Sequence, residues 1–233
     1  SYDEQVSFPG LLASDPLLAG RYDIGCFDYF TTFTNTYGVT KSIYERIFGS
    51  RKSLRKNLPI TEIAQLLRTE FDVNLCDYEK VFIIAHSMGG LVSKACILGH
   101  LEETQSTAVK GFISLAVPHT GAKIANIGSF LSSNVQLADL NVLSDAVYDL
   151  SREWVSAAAP PPTKYIYGAH DKYVDKKSAL AIESLKKDSF AFDEDHNSIC
   201  KPKSHDETIY KAVVKYIVEF ETLYKPPLIV KEF

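Results

Sequence analysis

Residues 81–98 read VFIIAHSMGGLVSKACIL, and the change of character within this stretch decides the fold. Val81 to Ala85 form a continuous apolar run of β-branched and aromatic residues, the composition of a strand buried on both faces of a parallel sheet. From Leu91 an apolar helix follows, and only His86, Ser87, Met88, Gly89 and Gly90 lie between. A strand that turns so abruptly into a helix brings backbones close together, and Cβ atoms beside the turn would collide with them. Ala85, Gly89 and Gly90 meet that requirement, giving G-x-S-x-G with Ala at the first glycine. The turn leaves Ser87 strained at its tip, with its hydroxyl above the sheet and the helix's N-terminal amides beside it, which is where a nucleophile is needed. The plainer alternative is that Ser87 only N-caps the helix.

Four further runs of β-branched and aromatic residues read as strands: RYDIGCFDYF at 21–30, VKGFISLA at 109–116, TKYIYG at 163–168 and DSFAFD at 188–193. Amphipathic stretches lie between them. Ile60, Ile63, Ala64, Leu67 and Phe71 fall on one helical face, as do Ile209, Val213, Tyr216, Phe220 and Leu223 near the C-terminus. Strand and helix in alternation require crossover connections, which predicts an α/β fold with a mostly parallel sheet covered by helices on both faces. Residues 1–233 read as one domain. The stretch from about 121 to 162, closed by Pro160, Pro161 and Pro162, exceeds a simple crossover and predicts helical excursions that form a lid-like or cap-like insertion.

The chain has 233 residues, 45% hydrophobic and 23% charged, with a net charge of -4. That balance gives no overall attraction to phosphate backbones and argues against nucleic acid as a partner. The apolar runs are strand-sized, well short of the ~18 residues of a spanning helix. Cys26, Cys76, Cys96 and Cys200 are dispersed without metal-site spacing and read as structural thiols in a reducing, cytoplasmic setting, with a Cys76–Cys96 pair as the alternative. Ser1 in place of Met reads as the start of a piece of a longer protein, whose targeting signals lie elsewhere. RKSLRK at 51–56 and the Lys pairs at 176–177 and 186–187 fit a solvated face better than an anionic membrane, with transient membrane contact kept as a second partner.

AHSMGG after VFII resembles the nucleophile turn of the α/β-hydrolase superfamily, in particular its lipase-like serine esterases. LAVPHTG at 115–121 is similar to the turn those lipases carry on the way to the lid, and YGAHDKYVD at 167–175 looks like their acid-bearing loop, Gly-x-x-Asp-x-x-Val. DEDHNSICKP at 193–202 resembles the late histidine loop of the group related to GPI-inositol deacylase. The resemblance covers roughly residues 8 to 220 and implies the α/β-hydrolase fold and ester hydrolysis by a Ser, acid, His set in that chain order.

A serine hydroxyl is a weak nucleophile near neutral pH, so it needs a base within reach, and the base needs a third group to fix its tautomer. Ser87 is followed by Asp171 and then His196, each just past a predicted strand, so loops at one edge of a parallel sheet can gather all three. Asp175 competes with Asp171, which alone fits Asp-x-x-Val through Val174. His205 competes with His196, but it opens the last helix, where capping is the simpler role. His86 and His170 adjoin site positions and read as packing or loop hydrogen bonding, His119 as a shaper of the turn after Pro118, and His100 as a helix-end residue.

Acyl transfer also needs an oxyanion hole. The Met88 N–H is its first donor, and an early loop normally supplies the second. Nothing in SYDEQVSFPGLLASDPLL reads as the strand bearing that loop. Pro9-Gly10 reads as a break in a first helical region, so the sheet is expected to lack its first strand or strands, and a further N-terminal segment, another domain or another chain is expected to supply the donor. The expected function is a serine esterase or lipase acting on a small-molecule ester. Leu131, Leu137, Leu140, Leu143 and Trp154 suggest an apolar cover and so a lipid or acyl substrate. A thioesterase, or a catalytically weak hydrolase-like binding or scaffold module of a larger protein, is the alternative. No metal or organic cofactor is implied.

Overall fold

The computed structural model describes residues 7–27, 59–120, 137–180 and 187–224. Four strands, β1 (Val81–His86), β2 (Val109–Leu115), β3 (Thr163–Gly168) and β4 (Ser189–Phe192), form one sheet in sequential order. All pair in parallel, with Ile83 opposite Phe112, Ser114 opposite Tyr165 and Ile166 opposite Phe190. Helices α1 (Phe8–Ser14), α2 (Ile60–Val73), α3 (Met88–Thr104), α4 (Leu137–Ser156), α5 (Lys176–Ala179) and α6 (Thr208–Leu223) complete the described elements, with a 3-10 turn at Ser198–Cys200. Parallel neighbours need crossovers, and α3, α4 and α5 lie on the β1–β2, β2–β3 and β3–β4 connections.

The strand period of two sorts side chains between two cores. Val81, Ile83, Ala85 and Phe112 face the layer of α2, α3 and α4, with Leu91, Cys96, Val147 and Trp154. Phe82, Ile84, Ile113, Leu115 and Ile166 face α1 and α6, with Phe8, Leu11, Ile209 and Val213. The chain therefore has the expected α/β arrangement, a parallel sheet covered on both faces.

The helical stripes behave largely as the spacing predicts. Ile60, Ile63, Ala64, Leu67 and Phe71 are all buried. Ile209, Val213, Tyr216 and Phe220 are buried too, but Leu223 is 62% exposed. Phe220 already sits over Gly111, at the start of β2, so the last turn of α6 runs past the sheet.

The strand expected at 21–30 is a correction. Residues 22–27 belong to no strand, and 28–30 lie outside the described residues. A strand is defined by a ladder of backbone hydrogen bonds with a neighbour, and the described sheet consists of β1 to β4. Pro9 and Gly10 are likewise no break, since both lie in the first turn of α1, where proline is tolerated. In the insertion, residues 137–156 are helical as expected, whereas 121–136 lie outside the described residues. Leu131 and the side chains of Leu137 and Leu140 fall outside as well. Trp154, expected in an apolar cover, instead lies in the core with its ring 6.1 Å from Phe112 and its Nε1–H donating to the Tyr165 hydroxyl at 3.2 Å. Leu143 packs partly buried against the same core. Cys76 is exposed and Cys96 buried, both free thiols, so the alternative pairing fails.

One core residue runs against ordinary burial rules. Lys94 on α3 is 0% exposed, its Nζ stands 5.0 Å from the Trp154 ring, and no hydrogen-bond partner for it lies among the described residues. Burial pushes its pKa from 10.5 down to about 7. The unfolded chain then binds more protons than the folded one between those values. The penalty is full below about pH 7 and fades as pH rises toward 10.5. Lys94→Met is expected to stabilise the fold by roughly 1–4 kcal/mol at pH 6, with less gain at pH 9. Urea denaturation of both proteins at the two pH values checks this, and a gain that is absent at pH 6 or grows toward pH 9 would refute it.

Candidate active site

The turn between β1 and α3 is built as its composition demands. Ser87 has φ 52° and ψ -129°, a left-handed conformation that costs a non-glycine residue about 1–3 kcal/mol. Its N–H donates to the Leu115 carbonyl (3.0 Å), and its own carbonyl accepts from Gly90 N–H (3.0 Å), so β2 and the first turn of α3 hold it on both sides. Gly90 is obligatory, because a Cβ there would lie 2.1 Å from a Val117 methyl, and Val117 is fully buried.

Asp171 sits on the loop after β3. Its Oδ1 accepts from the backbone N–H groups of Tyr173 and Val174, both at 2.8 Å, which leaves Oδ2 free to turn inward. The motif's valine fixes the loop, since Val174 is fully buried in the α2–α4 core. His196 sits on the loop after β4. There Asp195 Oδ1 accepts from Asn197 N–H (2.7 Å) and Ser198 N–H (2.8 Å), and these bonds hold its carboxyl below the usual range. Gly168, at the end of β3, lets the two loops touch, because a Cβ there would meet the Glu194 carbonyl oxygen at 2.4 Å.

The three predicted side chains meet. His196 Nε2 is 3.1 Å from Ser87 Oγ, and His196 Nδ1 is 2.7 Å from Asp171 Oδ2. Ser87 is 7% exposed, and the side chains of His196 and Asp171 are 1% and 0% exposed. A carboxylate only accepts, so Nδ1 carries the proton and the Nε2 lone pair faces the serine hydroxyl, which donates to it. The arrangement can take a proton from Ser87 and hold the resulting imidazolium beside a buried negative charge.

The competing residues are engaged elsewhere. Asp175 caps α5, accepting from Ser178 N–H at 2.9 Å. His205 Nε2 donates to the Leu11 carbonyl at 3.0 Å, and its ring packs on Tyr210, which lies in the α1–α6 core on the other face of the sheet. His170 pairs with Asp193 at 2.6 Å on the exposed rim. His119 is fully buried, with Nε2 2.7 Å from Ser114 Oγ, and burial holds it well below the usual imidazole range. His100 stacks edge-on to Phe71 at 5.2 Å. Met88 opens α3, where an amide has no carbonyl one turn earlier to bond. The Gly10 amide donates to its cap, Ser7 Oγ, at 3.1 Å. Two neighbours of the imidazole stood out less in the sequence: the rings of His86 and Tyr173 lie 4.8 Å and 5.7 Å from that of His196.

A family model described as the PGAP1-like alpha/beta domain matches residues 27–150, more than half of the chain. Protein SERAC1 of Danio rerio is 25% identical over 169 residues, covering 66% of this chain and 26% of that protein. Its Mus musculus counterpart is 26% identical over 152 residues, 58% and 23% of the two chains. The chain thus spans about a quarter of the length of these curated relatives. Among solved structures, the monoacylglycerol lipase of Paleococcus ferrophilus aligns with a TM-score of 0.50 at 17% identity over 72% of this chain and 78% of that one. A meta-cleavage product hydrolase from Pseudomonas fluorescens IP01 aligns with a TM-score of 0.50 at 13% identity, over 75% and 76%. The likeness to these structures is one of fold, and with the family match over the elements that carry Ser87 it leads to one conclusion: the chain belongs to the PGAP1-like alpha/beta domain family and has the α/β-hydrolase fold.

Proposed function

We propose that this chain is a serine hydrolase that cleaves carboxylic esters through an acyl-enzyme. Ser87 Oγ attacks the ester carbonyl while His196 Nε2 takes its proton, and Asp171 fixes the Nδ1–H tautomer and stabilises the imidazolium. The Met88 N–H receives the developing oxyanion. His196 then gives its proton to the departing alkoxide, and the same imidazole activates water to release the acid. The observation that supports this reading is the buried chain of contacts from Ser87 Oγ through His196 to Asp171, at 3.1 and 2.7 Å. Acyl lipids are the proposed class of ester, an activity that would be shared with the lipase among the structural neighbours. A thioester would react by the same steps.

A second reading is a hydrolase-like binding module, favoured by one feature of the sequence: nothing in residues 1–18 reads as the strand that would bear a second oxyanion donor. Loss of such a donor costs ~10²–10³ in turnover. Rapid mixing with p-nitrophenyl acetate separates the two readings. An acyl-enzyme predicts a burst of nitrophenolate approaching one equivalent, followed by a slower steady rate. Release at the uncatalysed rate from the first millisecond would contradict the proposal and favour the binding module.

A further inference from the structure

His86, the last residue of β1 and the one before Ser87, makes a contact that closes a ring of interactions. Its Nε2 lies 2.7 Å from the backbone carbonyl oxygen of His196. A carbonyl only accepts, so Nε2 carries the proton and donates it. The two imidazole rings pack at 4.8 Å with 50° between their planes, and Tyr173 approaches the His196 ring edge-on, at 66°. The path therefore runs from Ser87 through one peptide bond to His86, across the hydrogen bond to the His196 backbone, along that side chain to Nε2, and back to Ser87 Oγ. Every link is a covalent bond or a contact of 3.1 Å or less.

From this closed path we infer that His86 is a positioning residue for His196, tying the loop that carries the base to the strand that carries the nucleophile. The inference rests on the ester-hydrolase reading above and names a residue that the reading itself does not use. His196 belongs to no strand or helix, so no ladder of backbone hydrogen bonds sets its place. Asp171 holds the far side of the ring, but its loop also leaves the sheet after a strand. β1 is the rigid element from which Ser87 projects, and a tether to it makes base and nucleophile move together. Misplacement of a reacting group by about 1 Å can cost ~10²-fold in rate. The charge state of His86 suits the role. Desolvation first, then the neighbouring His196, pushes its pKa down to about 3, so it stays neutral while His196 becomes cationic during proton transfer.

Two variants separate the tether from ordinary packing. His86→Phe keeps a ring against His196 and removes the donor, whereas His86→Gln places an amide N–H near the position of Nε2. Turnover of p-nitrophenyl esters is measured per site titrated by a fluorophosphonate, so that a misfolded fraction does not count. The expected result for H86F is a fall in kcat of about 10- to 100-fold with KM within twofold of wild type, and for H86Q a kcat within about threefold. Wild-type kcat per titrated site in H86F, or an equal fall in both variants, would overturn the inference. Proton NMR of the low-field imidazole N–H shared by His196 and Asp171 reads the tether without turnover. The resonance should survive in H86Q and broaden away in H86F, and its persistence in H86F would overturn the inference. This pattern of resonances in the two variants, together with no ester turnover by the wild type, would leave the tether standing and sink the hydrolase reading alone.

Discussion

Ser87→Ala is expected to lower ester turnover by about 10⁶-fold, the scale seen when a serine nucleophile is removed from a base that can act on nothing else. The substitution is mild for the fold. The hydrogen bonds that hold the turn are made by Ser87 backbone atoms, to Leu115 O and from Gly90 N, and alanine keeps both. The φ of 52° strains alanine as it strains serine, so the melting temperature should move by no more than a few degrees. What disappears is the one hydroxyl 3.1 Å from His196 Nε2. Steady-state kinetics on protein checked for folding by circular dichroism would measure the loss. A variant retaining one per cent of wild-type kcat would show that some other group performs the attack.

Asp171→Asn is the second large effect, a fall of about 10⁴-fold in kcat, the magnitude associated with a wrong imidazole tautomer. Asp171 Oδ1 accepts from two backbone N–H groups, those of Tyr173 and Val174, and an amide NH₂ cannot replace it there. The asparagine must therefore keep its oxygen on the backbone and turn its NH₂ toward His196 Nδ1, which lies 2.7 Å from the present Oδ2. Nδ1 then has to accept, the ring proton moves to Nε2, and no lone pair faces Ser87. Asp175→Asn is the matched control. That side chain caps α5 by accepting from Ser178 N–H, a role an asparagine oxygen fills as well, so the change should leave kcat within a fewfold. Near-wild-type turnover by D171N, or a large loss in D175N alone, would reassign the acid.

The parts of this arrangement that were legible in the sequence are those fixed by local backbone needs. Ala85, Gly89 and Gly90 around Ser87 announce a sharp turn because side chains would collide there, and Gly90 does lie against Val117. Asp171 and Val174 were legible through the resemblance of YGAHDKYVD to an acid-bearing loop, and in the structure the first accepts backbone hydrogen bonds while the second is a buried anchor. Features that depend on distant partners were not legible. The run at 21–30 has a strand's composition, yet residues 22–27 are assigned to no strand. Trp154 reads as part of an apolar cover, and only its contacts with Phe112 and Tyr165 place it in the core. Leu223 continues a correct helical stripe past the sheet it was meant to cover. His86 pointed to packing or loop hydrogen bonding, but its partner, the His196 carbonyl, is 110 residues away.

The central claim is that three separate loops activate one hydroxyl, and a fluorophosphonate tests it directly. Wild-type protein is treated with the probe, digested and mapped by mass spectrometry, with His196→Ala treated in parallel. The account predicts a single adduct, on Ser87, forming at least a thousandfold more slowly in the His196 variant, in line with the scale of triad losses. Labelling of a different residue, no labelling of Ser87, or equal rates in the two proteins would contradict it.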